Sequence, residues 1–155
     1  MSLNIVLYEP EIPFNTGAIS RTCALTHTKL HLIEPLGFSI SEKAVKRAGL
    51  DYWPYVDLTV YKNYEEFLDK NREGRLFFAS TKSSHIYTDV KYEDGDYLVF
   101  GPETRGLPED VIFSDRGTNI RIPMIGELKR SLNLSNSVSI VLYEALRQVN
   151  FLDLV

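Results

Sequence analysis

The chain has 155 residues, 44% of them apolar and 25% charged, a balance that excludes a disordered chain and suits one domain, residues 1–155, around one core. Its net charge of −4 and isoelectric point near 5.4 give no global pull toward nucleic acid, so such contacts have to come from a local patch or a surface shared between copies. No apolar run is long enough to span a bilayer and the N-terminus lacks the pattern of a secretion signal; with Cys23 as the single cysteine, these features agree with a reduced, cytoplasmic setting and no membrane partner.

Leu3 to Tyr8 reads as a first strand. Pro10 and Pro13 punctuate a loop, and Asn15 suits the N-cap of a helix from about Thr16 to Thr26. Lys29 to Glu34 reads as a second strand, with Leu30, Leu32 and Glu34 alternating against His31 and Ile33. Ser41 suits the cap of a short helix ending at Gly49. Leu58 to Tyr61 reads as a strand, Asn63 as the cap of a helix from Tyr64 to Arg72, and Arg75 to Ser80 as another strand. Tyr97 to Phe100 and Asn119 to Ile122 complete the strands. The final helix is read from Asn136 onward, where Val138, Val141, Leu142, Ala145, Leu146 and Val149 recur at helical spacing. Strands alternating with helices predict an α/β class with a mainly parallel sheet flanked by helices.

The stretch from Leu98 to Pro108 carries the most information. A buried strand meets Gly101-Pro102 and stops; Gly106 permits a left-handed backbone, and Pro108 suits the first position of a helix whose first turn holds Glu109 and Asp110. Glu103 and Arg105 are thereby held in a rigid loop beyond a strand's carboxyl end, where open α/β sheets bind ligands. In Asn15 to Arg21, Gly17 and Arg21 lie four apart on one helix face; one reading is close approach of a phosphate or backbone to Arg21, the other a plain cap and a solvated arginine. In Ser131 to Asn136 the leucines can pack inward while Ser131, Asn133 and Ser135 face a pocket at a helix start, or the segment is a simple N-cap. Lys46 and Arg47 precede Tyr52 and Trp53, which fits phosphate contacts with stacked bases, or a solvated helix end before core aromatics.

Other chemistries lack their pattern. Cys23, His27 and His31 have metal-like spacing but cross from a helix into a strand. Ser83, Ser84 and His85 have no nucleophile elbow. No glycine fingerprint follows the first strand, as a dinucleotide oxidoreductase requires, and there is no phosphate-binding loop ending in Gly-Lys-Ser/Thr.

Taken together and in this order, Asn15 to Arg21, Phe100 to Gly106 and Ile122 to Ser137 resemble the three motifs of the SPOUT superfamily of RNA methyltransferases. Leu7 to Pro13, Arg47 to Tyr52, Asp94 to Tyr97 and the Gly-Pro-Glu-Thr-Arg-Gly-Leu-Pro loop are similar to its small TrmL-like (YibK-like) branch, which methylates the wobble ribose of certain transfer RNAs. The resemblance runs from Leu3 to about Phe151. It implies a trefoil knot near the C-terminal end, a homodimer with sites at or near the subunit interface, and S-adenosylmethionine as cofactor, leaving as S-adenosylhomocysteine, with no metal. Ala79, Gly101, Ile122, Met124, Ser131 and Leu132 match cofactor-lining positions; Asn15, Arg21, Glu103, Ser131 and Asn133 match positions tied to catalysis or cofactor placement. Arg21 matches the residue assigned to hydroxyl activation, although a guanidinium is better suited to stabilising an alkoxide or fixing a phosphate. Larger members carry an extra RNA-binding domain for which this length leaves no room. The anticodon stem-loop of tRNA is therefore expected on the dimer surface, at Lys43, Lys46, Arg47, Tyr52, Trp53, Lys129 and Arg130. The alternatives are 2′-O-methylation at another RNA site and a non-catalytic RNA-binding dimer.

Overall fold

The computed structural model describes residues 2–40, 43, 52–128 and 130–155. Its elements are β1 (Asn4–Tyr8), α1 (Pro13–Leu25), β2 (Lys29–Ile33), β3 (Leu58–Tyr61), α2 (Tyr64–Lys70), β4 (Leu76–Ala79), β5 (Tyr97–Phe100), α3 (Glu109–Ile112), β6 (Gly117–Ile120) and α4 (Leu134–Gln148). The strands form one sheet in the order β3-β2-β1-β5-β4-β6, and every neighbouring pair is parallel. Among the described residues, no helix is long and apolar enough to cross a membrane.

Both faces of the sheet are covered, so its inner strands are apolar on both sides. On one face Ile5, Leu7, Leu30, Leu32, Leu98 and Phe100 pack with Ile19 and Cys23 of α1 and with Val138, Val141, Leu142 and Ala145 of α4. On the other, Val6, Ile33, Phe78 and Val99 pack with Phe67 of α2 and with Val111 and Ile112 of α3. Each such side chain contributes roughly 1.5–3 kcal/mol when fully buried. The period of two in β1 and β5 thus feeds two separate cores.

The order of strands creates a crevice. From β1 the chain steps outward to β2 and β3, then crosses to the other side, where β5 lies against β1 and β4 and β6 lie beyond it. The segments leaving the carboxyl ends of β1 and β5 therefore part company at a switch point, the usual place for a ligand in such sheets.

Several boundaries differ from the sequence reading. α1 begins at Pro13, with Ile12 as N-cap, so Asn15 is a buried residue inside the helix and does not cap it. Proline suits this first position, and the caps come from elsewhere in the chain, as shown below. β6 spans Gly117–Ile120 rather than Asn119 to Ile122: Arg121 makes only an isolated bridge to Ile86, and Ile122 leaves the sheet. Pro108 is the N-cap of α3 rather than its first residue. α4 starts at Leu134, two residues before the expected start at Asn136, because Asn133 caps it. α2 ends at Lys70, where the Asn71 side chain donates to the Phe67 carbonyl at 2.7 Å, and Asn63 caps its start as expected. The short helix expected between Ser41 and Gly49 lies almost wholly outside the described residues.

One polar chain runs across the sheet from β1 through β2 to β3. Asn4 Nδ2 donates to the Gly95 carbonyl at 3.1 Å, which leaves its Oδ1 to accept from His31 Nε2 at 2.9 Å. His31 Nδ1 then accepts from the Tyr61 hydroxyl at 2.8 Å, and that oxygen accepts from Asn71 Nδ2 at 3.3 Å. This arrangement requires a neutral imidazole. Burial pushes the His31 pKa down to about 4, with Asp57 opposing and Lys29 adding to the shift. Above the unfolded value of 6.5 the group is neutral in both states; between 6.5 and about 4 only the unfolded chain takes up the proton. Stability is therefore lost as pH falls through that window. Between pH 7 and pH 5, urea unfolding should show the native protein losing roughly 2 kcal/mol more than His31→Gln. Equal slopes for the two proteins would contradict the neutral assignment.

Candidate functional site

α1 leaves β1 through a short segment whose backbone donors lack helical partners. Glu9 takes a left-handed φ of 47°, turning the chain away from the sheet. Ile12 offers no side-chain cap. The missing acceptor comes from across the crevice: the Glu103 carboxylate accepts from Glu11 N at 2.8 Å, from Ile12 N at 2.8 Å and from Asn15 Nδ2 at 3.2 Å. A carboxylate at this end also meets the positive pole of the helix.

The clasp is reciprocal. Glu11 Oε1 accepts from Thr104 N at 2.9 Å and Thr104 Oγ1 at 2.7 Å, and Arg105 Nη2 lies 3.2 Å from Glu9 Oε1. The Thr104 donors, backbone first and hydroxyl second, hold the Glu11 carboxyl below its ordinary value. The loop itself is tight. Gly106 has φ 70°, and its N–H donates to the Pro102 carbonyl at 2.9 Å. The chain folds back so closely that a Cβ on Gly101 would sit 2.3 Å from Leu107 N, so only glycine fits there.

The third segment joins through the same asparagine. Asn133 Nδ2 donates to Asn15 Oδ1 at 3.1 Å. Asn133 Oδ1 accepts from Ser135 N at 2.9 Å, Asn136 N at 3.4 Å and Ser135 Oγ at 2.5 Å, and so caps α4. Asn133, Asn15, Glu103 and the start of α1 thus form one continuous hydrogen-bonded chain.

Beside it lies a cleft of about 630 Å³. All six expected cofactor residues, Ala79, Gly101, Ile122, Met124, Ser131 and Leu132, line it, together with Asn15, Glu103 and Asn133. Met124 and Leu132 are 37% and 41% exposed although apolar, which leaves hydrophobic wall for a ligand to cover. The main-chain groups of Gly101 and Ile122 make no hydrogen bond within the described residues, so the wall also carries open donors and acceptors. The Ser131 hydroxyl has no partner there either. Apolar wall plus free backbone amides and carbonyls suits a flat heteroaromatic ring and a ribose, so these residues fit an adenosyl cofactor.

The other expected residues are dispersed. Arg21 is exposed and does not line the cleft; its guanidinium carbon sits 4.9 Å from the centroid of the Tyr52 ring, an aromatic face that is therefore covered by a cation. Trp53 is half-buried in a 3-10 turn. Lys43 is exposed, Arg130 lines the cleft, and Lys46, Arg47 and Lys129 lie outside the described residues. Cys23 is wholly buried in the core, His31 belongs to the polar chain described above, and His27 is exposed, so the three do not converge. Sequence reasoning missed the Glu11–Thr104 bonds and the cleft positions of Lys82 and Arg121. Only the acidic pair flanking Pro10 hinted at the former.

In Glu103→Gln an amide N–H₂ faces backbone donors, so unfolding in urea should show a loss of about 1–3 kcal/mol. Stability within about 0.3 kcal/mol of native would show that the carboxylate does not hold α1.

Comparison with known proteins agrees with this geometry. The sequence matches the SpoU rRNA Methylase family over residues 2–143. A tRNA (cytidine(34)-2′-O)-methyltransferase of Escherichia coli strain K12 is 51% identical over 150 residues, which cover 96% of this chain and 95% of that protein. A solved structure described as giving structural insights into the 2-OH methylation of C/U34 on tRNA superposes with a TM-score of 0.89 at 47% identity, covering 95% of each chain. An AdoMet-bound rRNA methyltransferase from Sinorhizobium meliloti superposes with a TM-score of 0.85 at 25% identity, covering 94% of this chain and 56% of the other. The three clasped segments and the cleft beside them all lie within the matched region or at its edge, and the chain belongs to the SpoU rRNA Methylase family.

Proposed function

We propose that this single-domain protein is a cytoplasmic, S-adenosylmethionine-dependent methyltransferase acting on the ribose 2′-hydroxyl of the wobble nucleotide of tRNA, a cytidine or modified uridine at position 34. The observation that carries this reading is full-length similarity, 51% over 96% of the chain, to a tRNA (cytidine(34)-2′-O)-methyltransferase. The convergence of all six expected cofactor positions on one cleft supports it.

When bound, the cofactor supplies an activated methyl group whose carbon passes from sulfonium sulfur to ribose oxygen as the hydroxyl proton leaves. Ala79, Gly101, Ile122, Met124, Ser131 and Leu132 would hold it. Asn15, Glu103 and Asn133 have their side-chain oxygens taken up by protein donors, so their part is to fix the walls. Of the expected catalytic residues that line the cleft, Ser131 keeps a hydroxyl free for a ligand.

Arg21 serves the reaction from a second copy of the chain. It lies six residues beyond Asn15, roughly 240° around α1 and about 9 Å along it, and so faces away from its own cleft. It shares one exposed stripe with Phe14 and Leu25, which are 68% and 57% exposed. An apolar stripe of this kind supports a homodimer with Arg21 carried to the partner's cleft, there to stabilise the developing alkoxide or fix a phosphate. The reading includes a trefoil knot near the C-terminal end. It is supported by β4 lying between β5 and β6, by Ile122, Met124 and Ser131 lining one cleft with the loop at 101–107, and by α4 packing on α1 and β5.

The test is methyl transfer from labelled S-adenosylmethionine to bulk tRNA from cells lacking this protein, with the modified nucleotide mapped. Label is expected at the wobble 2′-oxygen; label elsewhere would move the activity to another RNA site, no label despite cofactor binding would point to a substrate that needs prior modification, and no label with no cofactor binding would favour the idle RNA-binding dimer. In the same assay Arg21→Ala should lower turnover on the order of 100-fold while S-adenosylhomocysteine affinity stays within about twofold. Unchanged turnover would remove Arg21 from the reaction.

A further inference from the structure

The cleft collects positive charge that the rest of the chain does not predict. The protein carries a net charge of −4, yet Lys82, Arg105, Arg121 and Arg130 all line this one cleft. Glu103 is the only carboxylate among the described residues that line it, and three N–H donors occupy its oxygens. The four cations differ in how they are held. Lys82 pairs with Glu109 of α3, both exposed, and the exposed Arg105 pairs with the half-buried Glu9 at 3.2 Å; both cations stay in water, so both pairs are weak and exchangeable. Arg121 and Arg130 make no ion pair among the described residues. Three of the four side chains start from pinned backbone. Arg121 N donates to the His85 carbonyl and the Arg121 carbonyl accepts from Tyr87 N, each at 2.9 Å. Lys82 N donates to Ser80 Oγ at 3.1 Å, and Arg105 N donates to the Pro102 carbonyl at 3.3 Å.

A cofactor with a single carboxylate leaves most of these charges unanswered. A chain of regularly spaced phosphates answers all of them, since arginine and lysine on rigid supports position a nucleic-acid backbone without reading its bases. We infer that the cleft rim formed by Lys82, Arg105, Arg121 and Arg130 is the surface that receives the sugar-phosphate backbone of the RNA substrate. Arg121 and Arg130 are its open positions, while at Lys82 and Arg105 phosphate displaces the resident carboxylates of Glu109 and Glu9. The inference rests on the RNA methyltransferase reading above. It routes the RNA across the cleft mouth and adds Lys82, Arg105 and Arg121 to the residues that sequence alone suggested.

Salt titration of tRNA binding tests it, with S-adenosylhomocysteine affinity measured alongside. Each lost phosphate contact should flatten the plot of log affinity against log salt by about 0.7–0.9. Arg121→Gln and Lys82→Gln should each do so, raising Kd for tRNA about five- to tenfold near 0.1 M salt, while cofactor affinity stays within about twofold. Arg121→Lys keeps the charge and should restore the slope, which separates lost charge from lost folding. Glu109→Gln frees Lys82 and should tighten tRNA binding by about twofold or more. Unchanged slope and affinity in both glutamine variants would overturn the inference, as would a loss of S-adenosylhomocysteine binding with the tRNA slope intact, which would give the cations to the cofactor. If native protein methylates the wobble ribose and the variants bind tRNA normally, the rim assignment alone fails. If native protein neither binds nor methylates tRNA, the functional reading fails and the rim assignment with it.

Discussion

Everything in the site depends on one carboxylate. Glu103 leaves a loop after β5 and caps a helix that starts 91 residues earlier in the chain, at the backbone of Ile12. α1 brings no cap of its own, so its position relative to the loop is set by that contact. The asparagine that shares the carboxylate, Asn15, in turn holds Asn133, which caps α4. The starts of two helices and the wall of a cleft are thereby set by three side chains bonded in series. Such a chain is costly to interrupt at Asn15, its buried member, whose amide depends on Glu103 and Asn133 for partners.

The parallel sheet makes this possible. With β5 beside β1, the segments that follow them diverge from adjacent strand ends, and α4 returns over the same face as α1. The clasp between Glu9–Glu11 and Thr104–Arg105 closes the top of that divergence. What stays open among the described residues is a cleft with apolar patches, free main-chain groups and the Ser131 hydroxyl. Polar side chains that look catalytic by type are largely spent on architecture, and the cleft wall is left to main-chain groups and to small and apolar residues. Only glycine fits at position 101 for the same reason: the loop's own backbone fills the space a side chain would need.

The strands were legible because both sheet faces are buried, which gives continuous apolar runs such as Ile5 to Leu7 and Leu98 to Phe100. Helix starts were less legible. Asn15 has the chemistry of a cap, and nothing local reveals that its side chain is claimed by Glu103 while Pro13 begins the helix. The Glu11–Thr104 bonds span 93 residues and leave no periodic trace. β6 was displaced by two residues because Gly117 to Ile120 is weakly apolar and Ile122 mimics a strand residue while lining the cleft. The site residues came through their resemblance to a motif set, and the geometry then divided them into cleft walls, supports and, in Arg21, a residue on the opposite side of its helix.

The most direct test of this account is a double-mutant cycle between Glu103→Gln and Asn133→Ala, read by urea unfolding. The two side chains are joined through Asn15, so a shared chain predicts that the double variant loses less than the sum of the singles, with a coupling of about 0.5–3 kcal/mol. Additive losses, within about 0.3–0.5 kcal/mol, would mean that the two caps act independently and that no single polar chain organises the site.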